Sequence, residues 1–318
     1  MAEPRPVIEL TPPDISGWRA GNTGIDYVTR IDSLSPGPNV VVTAAVHGNE
    51  LCGVIALDFL RREAIRPTRG TLTLVVCNYA AYLSFDRSNP YPSRFVDEDF
   101  NRVWSHAVLD SARRTVETVR AREIRPIVAA ADFLLDIHSM QNISAPLMLC
   151  GPHEKGRRFA LEVGFPAHVV SDAGHAAGQR MRDYGAFGDP AMPQNALLVE
   201  CGQHWEARSA DVARETLLRF LDAVGVLAAK DRDRFLDPAP PPKPRVIEVT
   251  EAVTIRTEQF RFHSDFVGLE VIAKRGTEIG RDGDRPLLTP YDDCVLIMPT
   301  RRLKPGQTAV RLGRFVGA

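Results

Sequence analysis

Short apolar runs alternate with helix-length amphipathic segments over the first three quarters of the chain. The run at 40–46 (VVVTAAV) is apolar apart from one threonine, which is typical of a strand buried on both faces. The same pattern predicts strands at 71–77, 133–138, 146–150, 167–171 and 196–201. Apolar residues at helical spacing predict helices at 50–63 and 209–227, and a charged, exposed helix at 105–125 that ends near Pro126. This alternation predicts an α/β fold with a mostly parallel mixed sheet and helices on both faces.

A proline-rich stretch at 237–244 interrupts this pattern and holds five of the chain's 24 prolines. Such a run cannot join a helix or a central strand, and it favours a stiff, extended spacer. Beyond it, apolar and polar residues alternate at 246–250 and 253–257, which predicts short strands. We therefore predict a catalytic α/β domain at 1–236, a linker at 237–244 and a small all-β domain at 245–318. The pattern assigns no elements to residues 1–36.

Composition narrows the classes of partner. The 318 residues correspond to about two domains at ~150 residues each. A net charge of −1 provides no electrostatic footprint for nucleic acid or an anionic membrane surface, so neither is expected as a partner. No window approaches ~18 uninterrupted apolar residues, and the first residues show no apolar signal-peptide core. We expect no membrane segment and no secretion.

Cysteine usage indicates the compartment. The chain has five cysteines, an odd number, and they form no C-x-x-C pair. Most lie in apolar runs, which predicts buried free thiols in a reducing compartment and hence a cytoplasmic protein.

The clearest chemical motif is His47-Gly48-Asn49-Glu50, which directly follows the first predicted strand. The H-x-x-E spacing brings an imidazole and a carboxylate round one tight turn, and Gly48 permits unusual backbone angles there. His138 ends another predicted strand, and ligands of open α/β sheets bind at the carboxyl ends of strands. Two histidines and one glutamate leave a fourth position for water, which is the catalytic type of zinc site.

Asp136 lies two residues before His138, so both share one face of the strand, and its carboxylate can orient that imidazole. The competing interpretation is that an isolated H-x-x-E pair arises by chance, and that a histidine at a strand end is a hydrogen-bonded surface residue. We give that ordinary interpretation to the six other histidines, which are His106, His153, His168, His175, His204 and His263.

A polar stretch at 93–102 is the second candidate feature. Asn101 and Arg102 together can bind a carboxylate, because a guanidinium pairs with it bidentately and the amide adds a donor. Arg94 precedes them and can point into the same cleft. The alternative is structural: Asp99 caps a helix, and Arg102 pairs on the surface with Asp97 or Glu98.

Glu200 is the third candidate, since it ends an apolar strand. Burial of a carboxylate there costs folding free energy, which favours a functional role for this residue. In a cleft of low dielectric its pKa would rise, which suits a general base. The alternative is a glutamate at a solvated edge of the sheet.

Four motifs stand in chain order: H-G-N-E at 47–50, R-x-x-x-x-D-x-N-R at 94–102, D-x-H-S at 136–139, and an apolar strand ending in E-x-G at 200–202. Together they resemble the succinylglutamate desuccinylase/aspartoacylase family, part of the zinc carboxypeptidase-like hydrolases. The resemblance covers about residues 40–205, and the small β domain fits the family's plan. It implies a zinc carboxypeptidase-like fold and a deacylase of N-acyl amino acids with one zinc ion per chain.

Position by position, the resemblance implies that zinc is bound by His47, Glu50 and His138, that Glu200 is the general base, that Arg94 polarises the scissile carbonyl, and that the substrate's carboxylate is bound by Asn101 and Arg102. One position departs from the pattern. Aspartoacylases carry an arginine roughly ten residues before the base, for a side-chain carboxylate, and Pro190 stands there instead. Arg180 and Arg182 are the nearby basic residues, so the need for an acidic substrate stays open.

Two rival functions remain at this stage. A zinc metallocarboxypeptidase acting on short peptides would use the same residues, and activity on peptides against N-acyl amino acids separates the two. A binding or regulatory protein on a decayed hydrolase scaffold would have lost metal ligands or the base, whereas all these positions are filled. The acyl group, the amino acid and any homo-oligomerisation are left open by the sequence.

Overall fold

The structure is a computed structural model that describes residues 7–239 and 241–317. Residues 1–6, 240 and 318 belong to the predicted catalytic domain, linker and β domain respectively, and they lie outside the described residues.

The described residues form seven α-helices and 14 strands. The first seven strands are β1 (Val28–Asp32), β2 (Asn39–Ala44), β3 (Thr71–Val76), β4 (Phe133–Met140), β5 (Leu147–Leu149), β6 (His168–Ser171) and β7 (Asn195–Gln203). The helices are α1 (Leu51–Arg62), α2 (Tyr79–Leu83), α3 (His106–Leu109), α4 (Val116–Ala129), α5 (Glu154–Val163), α6 (Ala207–Ala223) and α7 (Ala229–Phe235). The remaining strands are β8 (Arg245–Thr254), β9 (Phe260–Phe262), β10 (Glu270–Ile272), β11 (Glu278–Asp282), β12 (Arg285–Leu288), β13 (Cys294–Ile297) and β14 (Thr308–Val316).

One large sheet has the strand order β1-β3-β2-β4-β7-β5-β6-β8-β14-β13-β10. Its centre is parallel: β2 pairs with β3 and β4, β4 with β7, and β5 with β6. The edge strand β1 and the pair β5–β7 are antiparallel. The prediction of a mixed α/β sheet is therefore confirmed.

Helices cover both faces of this sheet because its central strands are apolar on both faces. Val40 and Val42 pack into a core that includes residues of α1, α5 and α6. Val41, between them on β2, faces the opposite core, to which α4 contributes Ala121 and Ile124. Alternate residues of one continuous apolar run thus serve two cores, as expected for a strand between two helical layers.

The predicted exposed helix at 105–125 is wrong in its bounds and its exposure. The segment forms two helices, α3 and α4, and α4 continues through Pro126 to Ala129. Proline is tolerated here because it lies in the last turn, where it removes one intrahelical bond. The helix is also partly buried: Arg120 donates to the carbonyl oxygens of Val76 and Cys77, where β3 ends.

The chain after the predicted linker contains strands and no helix among its described residues. The strand predicted at 246–250 lies within β8, which continues to Thr254, whereas 255–257 of the second predicted strand lie outside any strand. β8 pairs in parallel with β6 and so extends the large sheet. Its neighbour β14 continues the sheet towards β13 and β10, while β9, β11 and β12 form a small separate sheet. Ile247 and Val295 from this part share one apolar cluster with Leu149 and Leu198 of the α/β part.

The ends of the parallel strands β2, β4 and β7 meet at one edge of the sheet, and the three predicted metal ligands and Glu200 follow or lie at these ends. In the part of the chain that the structure describes, no helix is long and apolar enough to span a membrane. All five cysteines are free and buried, as the sequence predicts.

Candidate active site

His47 and Glu50 are placed by the tight turn between β2 and α1. Gly48 is required in this turn because of space: a Cβ there would lie 2.2 Å from the backbone carbon of Ala81 and 2.5 Å from the carbonyl oxygen of Ser93. The Gly48 amide also donates to the Arg94 carbonyl oxygen at 3.0 Å. The reason for glycine is therefore close approach of other backbone, and not the unusual backbone angle expected from the sequence.

The structure brings His47, Glu50 and His138 together as one buried cluster. The Nδ1 atom of His47 lies 2.7 Å from Glu50 Oε1, and the Nδ1 atom of His138 lies 2.8 Å from Glu50 Oε2. All three candidate ligand atoms lie within 4.8 Å of one another. Two imidazole nitrogens and a carboxylate oxygen form a donor set that suits zinc.

A second carboxylate contacts each histidine at Nε2, the ring nitrogen that does not contact Glu50. The Nε2 atom of His138 lies 2.9 Å from Asp136 Oδ2, and the Nε2 atom of His47 lies 2.9 Å from Asp99 Oδ1. With a cation in place of the hydrogen bonds to Glu50, donation from each Nε2 to its carboxylate would leave the Nδ1 lone pair of each imidazole available as a ligand. This arrangement fits a divalent cation in the cluster. The orienting role expected of Asp136 has its geometry here, whereas the contact of Asp99 with His47 was not expected from the sequence.

Burial would raise the pKa of Glu50, but the positive charges and hydrogen bonds of His47 and His138 outweigh burial and hold that pKa well below its usual range. Burial likewise opposes charge on His138, but Asp136 and Glu50 raise its pKa well above the ordinary histidine value. Glu50 and the two histidines thus stabilise one another's charges. A bound cation would lie in this same charged environment.

Arg94 points into the same site. Its Nη2 atom lies 2.9 Å from His47 Nε2 and 3.2 Å from Asp99 Oδ2, and its Nη1 atom lies 3.4 Å from Glu50 Oε1. His47 Nε2 cannot donate to Asp99 and accept from Arg94 at once. With the proton on Nε2, Arg94 is held by Asp99 and Glu50, and its guanidinium lines the cleft.

Asp99, Asn101 and Arg102 lie on a short 3-10 turn, Phe100–Arg102. Asp99 caps this turn by accepting from the Asn101 amide at 2.9 Å, so the structural alternative holds for Asp99. It does not hold for Arg102, because no ion pair joins it to Asp97 or Glu98 among the described residues. Among the residues that the structure describes, the Arg102 guanidinium donates only to the Asn101 carbonyl oxygen, at 2.8 Å, and it lines the cleft.

The Asn101 side chain is buried between two elements. Its Oδ1 atom accepts from the Met181 amide at 2.8 Å, and its Nδ2 atom lies 3.4 Å from His138 Nε2. The amide oxygen is therefore engaged, and only the amide nitrogen is placed to face a ligand near His138.

Glu117, at the start of α4, organises the loop that carries these residues. It is fully buried, and its two oxygens accept from the backbone amides of Val96, Asp97 and Glu98 at 2.7–3.2 Å and from the Asn78 side chain at 3.0 Å. No sequence signal predicts this role, because a glutamate in a charged helix is ordinarily solvated.

Glu200 lies near the carboxyl end of β7, directly opposite His138 in the register with β4. It is buried, and its Oε2 atom has no hydrogen-bond partner among the described residues. Burial, aided by the charges of Glu50 and Asp136 and opposed by those of His138 and Arg94, raises the pKa of Glu200 to about 8. The alternative of a solvated edge residue is excluded by this burial.

These side chains line one cleft of about 780 Å³. Its other wall comes from the chain after residue 245, which contributes residues from 298–308 and Arg311 of β14. No site residue was expected in that part, because nothing in a strand-like pattern shows which residues reach a distant cleft.

Two arginines near Pro190, the position that departs from the aspartoacylase pattern, have structural partners. Arg180 is buried and forms a bidentate ion pair with Asp172 at 2.7 and 2.9 Å. Arg182 donates to the carbonyl oxygens of Cys150 and Ala196. Neither guanidinium is free to replace an arginine at Pro190.

Two of the histidines given the ordinary interpretation lie near the site. His204 is buried with its Nδ1 atom 2.8 Å from Ser139 Oγ, and burial lowers its pKa to about 3. His175 lines the cleft, and burial with the neighbouring charge of Arg102 lowers its pKa to about 3. Both side chains are therefore neutral at pH 7.

Residues 36–224 match a family model described as the succinylglutamate desuccinylase/aspartoacylase catalytic domain. A succinylglutamate desuccinylase of Pseudoalteromonas atlantica is 22% identical over 326 residues, spanning 89% of this chain and 86% of the relative. An N-acyl-aromatic-L-amino acid amidohydrolase (carboxylate-forming) of Xenopus laevis is 27% identical over 169 residues, and that alignment spans 46% of this chain and only 52% of the relative.

The fold is similar to the crystal structure of a succinylglutamate desuccinylase from Vibrio parahaemolyticus. The TM-score is 0.66 at 16% sequence identity, and the superposition covers 92% of this chain and 87% of the other. At this identity the likeness supports the fold alone.

Proposed function

The chain belongs to the succinylglutamate desuccinylase/aspartoacylase family, and from this membership we propose that it is a zinc-dependent hydrolase of N-acyl amino acids. The observation that carries the proposal is the pairing of two features: a buried His47–Glu50–His138 cluster and, across the strand pair β4–β7, the unpartnered carboxylate oxygen of Glu200. The first suits a cation and the second suits a general base.

His47, Glu50 and His138 would hold one zinc ion per chain. When bound, zinc supplies Lewis-acid polarisation of the acyl carbonyl and lowers the pKa of the attacking water. Asp99 and Asp136 keep the two imidazoles in the tautomer that has an unprotonated Nδ1.

Glu200 removes a proton from the water that attacks the acyl carbon, and it later returns that proton to the leaving nitrogen. The amide C–N bond breaks, and the products are a carboxylic acid and a free amino acid. Positive charge near Glu200 favours its ionised form, so a bound cation would lower its pKa below about 8 and make it a working base near neutral pH.

Arg94 supplies fixed positive charge where the oxyanion develops. Arg102 binds the carboxylate of the amino acid, and the Asn101 amide nitrogen adds a donor, which fixes the reacting amide relative to Glu200. The wall formed by the chain after residue 245 limits the cleft and favours a small substrate over a peptide, on a zinc carboxypeptidase-like scaffold. The free buried cysteines agree with a cytoplasmic location.

A hydrolysis screen tests this proposal. Protein loaded with zinc and protein stripped by a chelator are compared on N-acetyl and N-succinyl amino acids and on short unblocked peptides. We expect release of free amino acid from the acylated substrates, by the loaded protein alone. Cleavage of peptides in preference to acyl amino acids would favour a carboxypeptidase, and no turnover with zinc bound would overturn the proposed function.

A further inference from the structure

His204 is a buried histidine that the proposed reaction does not use, and it lies directly after β7, the strand that carries Glu200. Its Nδ1 atom lies 2.8 Å from Ser139 Oγ. The Ser139 backbone amide in turn donates to Glu50 Oε2 at 3.2 Å. A short chain of contacts therefore joins His204 to the carboxylate of a proposed metal ligand.

A β-bulge explains why Ser139 needs a side-chain contact. β4 and β7 pair at His138 and again at Met140, but β7 advances by three residues over the two of β4. Gly202 lies in this bulge with a φ of +109°, a conformation that other residues rarely adopt. The register gives Ser139 no partner on β7, a strand that lies wholly within the described residues. Its hydroxyl contact with His204 therefore replaces the anchoring that a regular ladder would supply.

The next residue contacts the turn that carries Glu50. Trp205 is fully buried, and its Nε1 atom donates to the carbonyl oxygen of Asn49, which directly precedes Glu50, at 3.2 Å. The His204 amide donates to the Met140 carbonyl oxygen at 2.8 Å, which fixes this segment against β4. Two successive side chains after β7 thus contact the two backbone segments that adjoin the Glu50 carboxylate.

A neutral side chain suits this position because the neighbouring cluster would hold a cation. Burial lowers the pKa of His204 to about 3, so the imidazole carries no charge at pH 7. It can hydrogen-bond Ser139 without adding positive charge beside His47 and His138. A lysine or arginine here would instead oppose the charge of a bound cation.

We propose that His204 is a positioning residue that fixes Glu50 for metal binding by anchoring Ser139. This role rests on the proposed function, because it takes His47, Glu50 and His138 as the zinc ligands. A carboxylate already held by the Ser139 amide loses less conformational freedom when it binds a cation. Groups that orient metal ligands contribute about 10- to 100-fold to metal affinity.

Zinc affinity tests the proposal, measured by competition with a chromogenic chelator on metal-stripped, full-length protein without substrate. The variants are His204→Leu, Ser139→Ala and the double variant. We expect each single variant to bind zinc about 10- to 100-fold more weakly than the wild-type protein. The double variant should bind no more weakly than the weaker single variant, because both changes break the same contact.

His204→Asn tests rescue, because its side-chain amide can still hydrogen-bond the Ser139 hydroxyl. We expect it to bind zinc more tightly than His204→Leu. Additive losses in the double variant, or equal losses in His204→Asn and His204→Leu, overturn the proposal. If His204→Leu does not fold, Ser139→Ala decides, and wild-type zinc affinity in that variant overturns the proposal.

His153→Leu is the matched control, because His153 lies outside the residues that line the cleft and its Nε2 atom contacts the Gly188 carbonyl oxygen at 2.9 Å. Urea unfolding of the metal-free proteins gives the stability of every variant. If His153→Leu loses as much zinc affinity as His204→Leu at a similar loss of stability, the effect is general destabilisation and the proposal is overturned.

This measurement separates the positioning role from the proposed function, because zinc binding needs no turnover. If the variants bind zinc as expected, the role of His204 stands even when no acyl amino acid is hydrolysed. If the wild-type protein hydrolyses N-acyl amino acids, and both His204→Leu and Ser139→Ala keep its zinc affinity, the positioning role fails alone.

Discussion

The Oε2 atom of Glu200 is buried and accepts no hydrogen bond from the described residues. An unsatisfied buried polar atom costs about 1–3 kcal/mol of folding free energy. A residue without an unpaired polar atom would give a more stable fold at this position. A proton acceptor, however, needs a free lone pair directed at the reacting group. The free energy lost by this unpaired oxygen is consistent with the role of general base that we propose for Glu200.

Replacing Glu200 by glutamine should lower kcat by about 10²–10⁴-fold, because the amide cannot take or return a proton. Zinc content should stay at the wild-type level, since Glu200 is not one of the three cluster residues. Steady-state kinetics and metal analysis of the same preparation measure both. The exposed Glu258 provides the control variant, Glu258→Gln, and near wild-type turnover by Glu200→Gln would refute its role.

Asp172 makes a pH-dependent contribution to stability. Burial would raise its pKa, but the charge and hydrogen bonds of Arg180 outweigh burial and lower it. A carboxyl whose pKa is lower in the folded state adds stability that is fully present above its unfolded pKa of about 3.9. That stability is lost as the pH falls through the folded pKa.

Asp172→Asn should therefore lower the free energy of unfolding by about 3 kcal/mol at neutral pH, since Arg180 stays buried with Asp183 as its remaining partner. The difference from wild type should shrink as the pH falls below about 4. Urea unfolding of both proteins from neutral pH to below about 4 measures this difference. Asp211→Asn is the control, because the Asp211 side chain is 67% exposed and forms a surface ion pair with Arg214. If the loss of unfolding free energy in Asp172→Asn does not change with pH, the charge of Asp172 is not its cause.

At the scale of elements, α4 controls the site through its first turn. Glu117 holds the amides of 96–98, and the same loop continues into Asp99, Asn101 and Arg102. A buried carboxylate with four donors is a rigid anchor for a segment that has no regular structure before its short turn.

Glu117→Gln should loosen this loop, because the amide group of glutamine faces backbone donors and leaves at least one unpaired, at a cost of about 1–3 kcal/mol. We expect faster hydrogen exchange at the amides of 96–98 and a higher KM, while bound zinc persists. Glu123→Gln on the exposed side of the same helix is the control. Unchanged exchange at these amides would remove Glu117 from this role.

Local signals explain which elements were predictable. The strands β2, β3, β4 and β7 were found because each is a continuous apolar run, and their ends placed His47, His138 and Glu200 at one edge. The helix at 105–125 was wrong because charge does not reveal burial: Arg120 is buried by its bonds to carbonyl groups at the end of β3.

Contacts distant in sequence explain what was missed. Asp99 faces His47, and Arg311 reaches the cleft, only after the sheet has assembled, and no local pattern encodes either approach. The missing arginine at Pro190 was visible in the sequence, whereas the structural engagement of Arg180 and Arg182 was not.

At the scale of the whole molecule, the predicted boundary at 237–244 divides the chain but not the large sheet. β8 pairs with β6, and the cluster that contains Leu149 and Leu198 takes Ile247, Val295 and Ile297 from beyond the boundary. The two parts thus share a core as well as a cleft.

Residues 1–236 expressed alone should therefore fail to fold stably, because removal of the rest of the chain exposes the β6 edge and the five buried apolar residues that the α/β part contributes to this cluster. The full chain should unfold in urea in one transition by both circular dichroism and tryptophan fluorescence. Two separate transitions, or a stable and folded 1–236 fragment, would show instead that the parts are independent domains.

The position of Arg311 on β14 also has a consequence for synthesis. During translation the cluster residues and Glu200 emerge before β14, the strand that carries Arg311 into the cleft wall. Pairing of β6 with β8 joins segments far apart in sequence, and such pairings form slowly. The nascent chain therefore passes through a stage in which the metal-ligand candidates and the base are present and Arg311 is not. Under the proposed function, the wall that limits the cleft is therefore completed after the residues proposed for catalysis have been synthesised.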